Sequence, residues 1–225
     1  MTSPAEILGR LQSFLSDAIH SEKLVLSRSE KDGRLNSQKN ERQISQALEF
    51  YSLSSEWFRS NRLSLHVAPA RFWYDFAVST AEGAFIPVNV KVSALKTSDN
   101  LSSKEGVFYA LTGITPEKIR INSWERFSLE LSRYLGKNPL ADYFFLVVSK
   151  EDPGDVFWTS LKRINELVPN GNNPPFQCHW GKNRLRNDRS NDEAQKYILS
   201  ILRKTFSLRA DALLSFDRHL NQYLL

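Results

Sequence analysis

The segment DYFFLVVS, residues 142–149, limits what this chain can become more than any other. Tyr143 to Val148 are six consecutive apolar side chains. Side chains alternate across a strand, so such a run buries both faces and reads as a central strand. A strand covered on two sides implies a layered molecule with the sheet in the middle and helices against it.

The rest of the pattern supplies those layers. RFWYDFAVS (71–79) and AFIPVNVKVS (84–93) read as two strands of a hairpin joined through Glu82-Gly83. In the second strand Ile86, Val88, Val90 and Val92 share one face, which leaves Asn89 and Lys91 together on the other. A turn centred on Glu82 sets Asp75 opposite Asn89, and one centred on Gly83 sets it opposite Lys91. Both registers put the three polar side chains on one face, with opposed β-carbons about 5 Å apart. DVFWTSL supplies a further strand after Ser149.

Ser3-Pro4 starts a helix with Leu8, Leu11, Leu15 and Ala18 on one stripe, ending near His20. Asp32-Gly33 is a turn signal, and Asn36 or Ser37 can cap a second helix that carries Glu41, Ile44, Leu48, Tyr51, Ser55 and Phe58 along one side. Residues 96–106 read as a polar loop, VFYALTG as a strand or a buried helix, and Ser123 to Leu135 as a helix capped by Ser123 and stopped by Gly136. Residues 168–192 are rich in loop formers. From Asp192 an amphipathic helix turns Tyr197, Ile198, Ile201 and Leu202 inward, and a second helix is expected to run to Leu225. The expectation is one domain over 1–225 of the α/β (α+β) class: a central mixed sheet with its hairpin flanked by helices, and the terminal pieces 1–30 and 192–225 packed on the core.

Bulk composition narrows the function classes. A chain of 225 residues can bury a large core, and 30 Lys+Arg against 25 Asp+Glu give a net charge of +5, a tilt toward anionic partners. The single Cys178 excludes an intrachain disulfide and a Cys-rich zinc site and fits a reducing, cytoplasmic setting. No run reaches the roughly 18 apolar residues of a membrane span, and the N-terminus lacks the pattern of a signal peptide. No Gly-rich phosphate loop, Ser-His-Asp arrangement or His-rich metal pattern is present in the sequence.

Asp75, thirteen intervening residues, then Asn89-Val90-Lys91 on the facing strand resembles the motif of the PD-(D/E)xK nuclease family. The wider resemblance is to type II restriction endonucleases, in patches over roughly residues 32 to 185: DGRLNSQKNERQI, PVNVKVS, VFYALTG and VPNGNNPPFQCHWGKNR. It implies Mg²⁺-dependent hydrolysis of double-stranded DNA at a short palindromic site by a homodimer. Asp75, Glu41 and Asn89 would hold the metal, and Lys91 would orient the attacking water and stabilise developing charge. That division of labour answers a physical demand, because a phosphodiester anion repels hydroxide.

Two positions depart from the family pattern. Tyr74 precedes the acid where proline is usual, and Asn89 stands where a second acid is expected. An amide oxygen ligates a hard cation without supplying charge, so a carboxylate from Glu41, Asp99 or Glu105 should compensate.

Plainer readings exist for each residue: Glu41 complementing a helix dipole, Lys91 reaching out from a sheet edge, Asp75 pairing with it as a salt bridge. For DNA contact, Gln177, Asn183, Arg184 and Arg186 have side chains able to read base edges or grip phosphates, and Asn36, Ser37 and Gln38 form a second patch. His179 reads as structural. The two amphipathic terminal helices are candidates for the contact between copies. The alternatives in function are a DNA-binding protein on a decayed nuclease scaffold and a structure-specific repair or junction nuclease.

Overall fold

A computed structural model describes residues 2–27, 33–101 and 103–220. Helices α1 (Pro4–His20), α2 (Gly33–Ser54) and the short α3 (Glu56–Ser60) come first, followed by strands β1 (Leu63–Val67), β2 (Phe76–Thr80), β3 (Phe85–Ser93) and β4 (Ser98–Leu101). Helices α4 (Lys104–Thr112) and α5 (Trp124–Tyr134) lead into β5 (Phe144–Ser149) and β6 (Val156–Ser160). Strands β7 (Leu167–Pro169) and β8 (Phe176–His179) precede the long α6 (Asn191–Leu220).

The fold is mixed α/β. Five strands in the order β1-β2-β3-β5-β6 make a mixed sheet in which β3 and β5 run parallel and the other pairs antiparallel. Every residue of β5 is buried, as its apolar run requires. Val88, Val90, Val92, Leu146 and Val148 point into one core with α1 and α2, while Phe145 and Val147 point into the other with α4, α5 and α6. A second, three-stranded antiparallel sheet, β4-β8-β7, adjoins the latter core.

Local chemistry explains the element ends. Ser3 accepts from the Glu6 N–H at the start of α1, Ser103 from Gly106 at the start of α4 and Ser123 from Arg126 at the start of α5. Gly83, at φ +85°, closes the β2–β3 turn. Pro87 sits one residue before the β3–β5 pairing begins at Val88, so its missing N–H removes no ladder bond there.

Several expectations need correction. The first hairpin strand begins at Phe76 instead of residue 71, because residues 71–75 turn away to bury Trp73 in the α4–α5 core, with Arg71 in the left-handed region. The residues read as loops at 96–106 and 168–192 contain β4, β7 and β8. VFYALTG takes the buried-helix alternative, in α4 through Thr112 with Gly113 as its C-cap. β1 was not anticipated, although Leu63, Leu65 and Val67 alternate with exposed Ser64 and His66. The C-terminal stretch is one helix to Leu220, since 191–220 contain neither Pro nor Gly to interrupt it. Residues 221–225 and Asp32 lie outside the described residues, as do 28–30 of the N-terminal piece. Among the described residues no helix is long and apolar enough to cross a membrane.

Candidate active site

The register Phe76↔Val88 is the one centred on Glu82, so Asp75 is the residue that would face Asn89. The ladder ends there. The Asp75 N–H donates to the Val88 carbonyl at 2.9 Å, its carbonyl accepts from Ala68, and the preceding chain leaves the sheet. Past that point β3 keeps β5 on one side and has no strand on the other. Alternate backbone groups of a strand point to alternate sides, so the N–H groups of Val90 and Val92 face this vacated edge. Carboxylates fill it. Asp75 Oδ2 accepts from the Val90 N–H at 2.6 Å, and the Glu41 carboxylate lies near enough to the Val92 N–H for that group to lower its pKa.

Glu41 reaches the edge from α2, where Ile44 and Leu48, one and two turns further on, are fully buried against the valine face of β3. It lies in the third turn of a helix that begins at Gly33, too far from the N-terminus for dipole complementation. Asn36 and Ser37 are therefore inside α2, and neither is its cap.

Burial, with the charge of Asp75 adding to it, pushes the Glu41 carboxyl up to about 7 against the pull of Lys91. Burial likewise raises Asp75, opposed by the Val90 N–H and Lys91. One ammonium thus faces two carboxyl groups. Lys150, which follows β5 and was not anticipated, also acts on Glu41. A serine or asparagine would accept either N–H without burying a charge, so edge protection alone does not account for two carboxylates here.

Asn89 and Lys91 open onto a small pocket beneath α4, lined by Ser103, Val107, Tyr143 and Phe145 among others. The Tyr143 hydroxyl donates to the Trp73 carbonyl at 2.5 Å, and the Asn89 and Ser103 side chains beside it act to lower its pKa. Burial holds this phenol well above its ordinary pKa, with the Asp75 charge as the next cause. Gly106 makes room for it: a β-carbon there would come within 2.5 Å of the Tyr143 ring.

Asn89 Oδ1 is buried with no hydrogen-bond partner. A neutral donor such as a backbone amide would normally satisfy an acceptor of this kind, and a cation would do so equally. With Asp75 and Glu41 the donors are all oxygen, the set a hard divalent cation takes, and one backbone bond leaves each carboxylate lone pairs to spare. The residues fit Mg²⁺ by their chemistry. Among the described residues no group of three His, Cys, Asp or Glu is placed to hold a metal.

Of the acids that might replace the charge missing at Asn89, Glu41 is the one beside Asp75 and Lys91. Glu105, in the first turn of α4, acts on Tyr143. Asp99 pairs in register with Cys178 across β4–β8 and acts on its thiol, which burial pushes up to about 12.

The residues assigned to DNA contact divide. Asn183 is a correction, being fully buried: its Oδ1 accepts from the Glu166 N–H at 2.9 Å and its Nδ2 bonds the carbonyls of Glu166 and His179. It cannot read a base. Asn183→Ala should cost about 2–3 kcal/mol in denaturant unfolding, because it strands buried backbone groups, and should leave DNA affinity unchanged.

Arg184 is exposed but held by Asp155 and lies over Phe157, and Arg186 stacks on Trp158 at 3.8 Å. Asp155 belongs to the β5–β6 turn, at the same end of the sheet as Lys91. Gln177 lies in β8 with its amide toward Asn100 of β4 at 3.4 Å. Asn36 and Ser37 are half-buried and Gln38 exposed on α2, less than one turn before Glu41 in the case of Gln38.

Neither a scan against protein-family models nor a search of curated proteins found a match to this chain.

Proposed function

We propose that this protein is a Mg²⁺-dependent endodeoxyribonuclease of the type II restriction class, acting as a homodimer on a short palindromic duplex site. The observation that carries the reading is the meeting of Glu41, Asp75 and Lys91 at the free edge of β3, next to the unpartnered Asn89 oxygen.

Asp75, Glu41 and Asn89 would hold the cation. Bound there, it polarises the scissile phosphate and lowers the pKa of a coordinated water. Lys91 orients the attacking water and offsets negative charge developing on the phosphoryl oxygens. Asp75, fixed by the Val90 N–H, and Glu41, drawn toward the Val92 N–H, present their remaining oxygens at this edge. Those two N–H groups are about 7 Å apart by strand rise, so the carboxylates flank one location. The Tyr143 hydroxyl, committed to the Trp73 carbonyl, lies beside Asn89, whose unpartnered Oδ1 is left for the cation.

The net charge of +5 and the exposed Arg184 and Arg186 support a polyanionic substrate at this end of the sheet. Two-fold palindromic DNA is matched by a two-fold protein. Asp75→Asn keeps an acceptor for Val90 but removes the charge, so it should fold with an unchanged circular dichroism spectrum and lose cleavage by at least about 10²-fold. Sequencing the ends of several plasmids digested in Mg²⁺ tests the reading as a whole. Ends that share one short motif support a sequence-specific enzyme, and ends scattered at branches or mismatches favour a structure-specific nuclease instead. The uncharged Asn89 favours a second reading, a DNA-binding protein on a decayed nuclease scaffold, which the same digests would leave uncut.

A further inference from the structure

The two terminal helices differ in what their apolar faces do. α1 is committed to the core: Ile7, Leu8, Leu11 and Leu15 are fully buried. The first half of α6 is likewise packed through Ala194, Ile198, Ile201, Leu202 and Thr205, but every residue from Ser207 to Leu220 is exposed. Leu208 lies over Gly171. Beyond it the helix projects for about 18 Å, its residues all exposed among the described residues.

The projecting part is not a polar tail. Leu199, Phe206, Leu213 and Leu220 recur every seven residues and form a slowly drifting stripe along one side of α6. The stripe begins in an apolar groove of about 420 Å³ between α5 and α6, lined by Phe127, Leu131, Leu135, Leu199, Leu202 and Phe206. It ends in solvent, where Leu213 is 61 % exposed with Phe216 and Leu220 beside it. Asp211 and Arg218 fall on the opposite side and keep the outer face wet.

We propose that the end of α6 pairs antiparallel with the same helix of a second copy, about a two-fold axis through Leu213. An antiparallel pair centred there sets Leu213 against the partner's Leu213, Phe206 against the partner's Leu220, and Ala210 against the partner's Phe216. It also sets Arg209 against the partner's Asp217, twice by symmetry. The charges therefore select both partner and direction. A parallel pair would place Arg209 on Arg209 and Asp217 on Asp217, and like charges at a seam repel. The same centre satisfies the apolar layers and the ion pairs at once, and it brings the partner's Leu220 over Phe206 at the mouth of the groove. The contact is isologous, so it closes at two copies.

This inference rests on the two-copy half of the proposed function and not on hydrolysis. A dimer that fails to cut DNA would contradict the function and leave the interface standing.

Sedimentation velocity of the full chain over a concentration series tests it. Wild type should sediment as a dimer and Leu213→Glu as a monomer. Asp217→Arg should weaken dimerisation about tenfold or more, because it makes both ion pairs repulsive, and Arg209→Asp combined with Asp217→Arg should restore it. All three positions are solvent-exposed, so an unchanged circular dichroism spectrum is expected for each variant. A monomer at every concentration, a dimer that survives Leu213→Glu, or a double variant no better than Asp217→Arg would overturn the proposal.

Discussion

Lys91→Ala is expected to bind duplex DNA with near wild-type affinity and to cleave it on the order of 10²–10³-fold more slowly. The separation follows from where the lysine sits. Its charge acts on the carboxyl groups of both Asp75 and Glu41 at the edge of the sheet, while Arg184 and Arg186 are exposed on the surface. Phosphate grip on the outer surface should survive its loss, and charge stabilisation at the reacting oxygens should not. Gel-shift measurement in Ca²⁺ gives the first quantity and single-turnover cleavage in Mg²⁺ the second. Full cleavage by this variant would remove Lys91 from the chemistry.

Glu41→Gln should do two opposite things: abolish Mg²⁺-dependent cleavage and make the metal-free protein more stable at alkaline pH. The Glu41 carboxyl is held at about 7 in the folded chain by burial, against an ordinary 4.5, so between those values the folded state binds more protons than the unfolded state. Stability is therefore fully present below about 4.5, falls as pH rises, and has been lost by the time pH passes about 7. The full drop is on the order of 3 kcal/mol. Glutamine keeps an acceptor for the Val92 N–H and has no charge to desolvate. Thermal denaturation in EDTA should show the variant melting roughly 6–12 °C above wild type at pH 8 and level with it near pH 4. Equal melting points at pH 8 would mean that Glu41 is not ionised under strain, and the metal shell proposed here would lose its most distinctive member. A carboxylate kept at such cost, where an amide would hold the same N–H, is the mark of a group retained for function.

Elements whose burial is written in their own composition were legible in the sequence. The apolar run of β5, the Ser123 cap of α5 and the pairing of β2 with β3 are local facts that local physics decides, while the hairpin register, open in the sequence between centres at Glu82 and Gly83, is set by the structure at Glu82. The inward stripe of α2 placed Glu41 beside Ile44 and Leu48 for the same reason. β4, β7 and β8 were not legible because SDNL and FQCH gain their strand character from pairing with each other, a tertiary effect. β1 carried a period-two signal in Leu63, Leu65 and Val67 and was simply passed over.

The site divides along the same line. Asp75, Asn89 and Lys91 follow from strand alternation, but the vacated edge that draws in Glu41 depends on residues 71–75 leaving the sheet to bury Trp73. Lys150 reaches Glu41 only because β5 runs parallel to β3 and delivers its end to the same place. Asn183 was misassigned because an asparagine in a basic loop reads as solvated until its amide is seen holding Glu166 and His179.

The most direct measurement is to incubate wild-type protein and Asp75→Asn with several supercoiled plasmids, each in Mg²⁺ and in EDTA. The wild-type chain should yield discrete fragments in Mg²⁺ and none in EDTA, and the variant should leave every plasmid intact. Intact plasmids in the wild-type Mg²⁺ lanes, or equal cutting by the variant, would contradict a cation-dependent phosphodiesterase at this edge of the sheet.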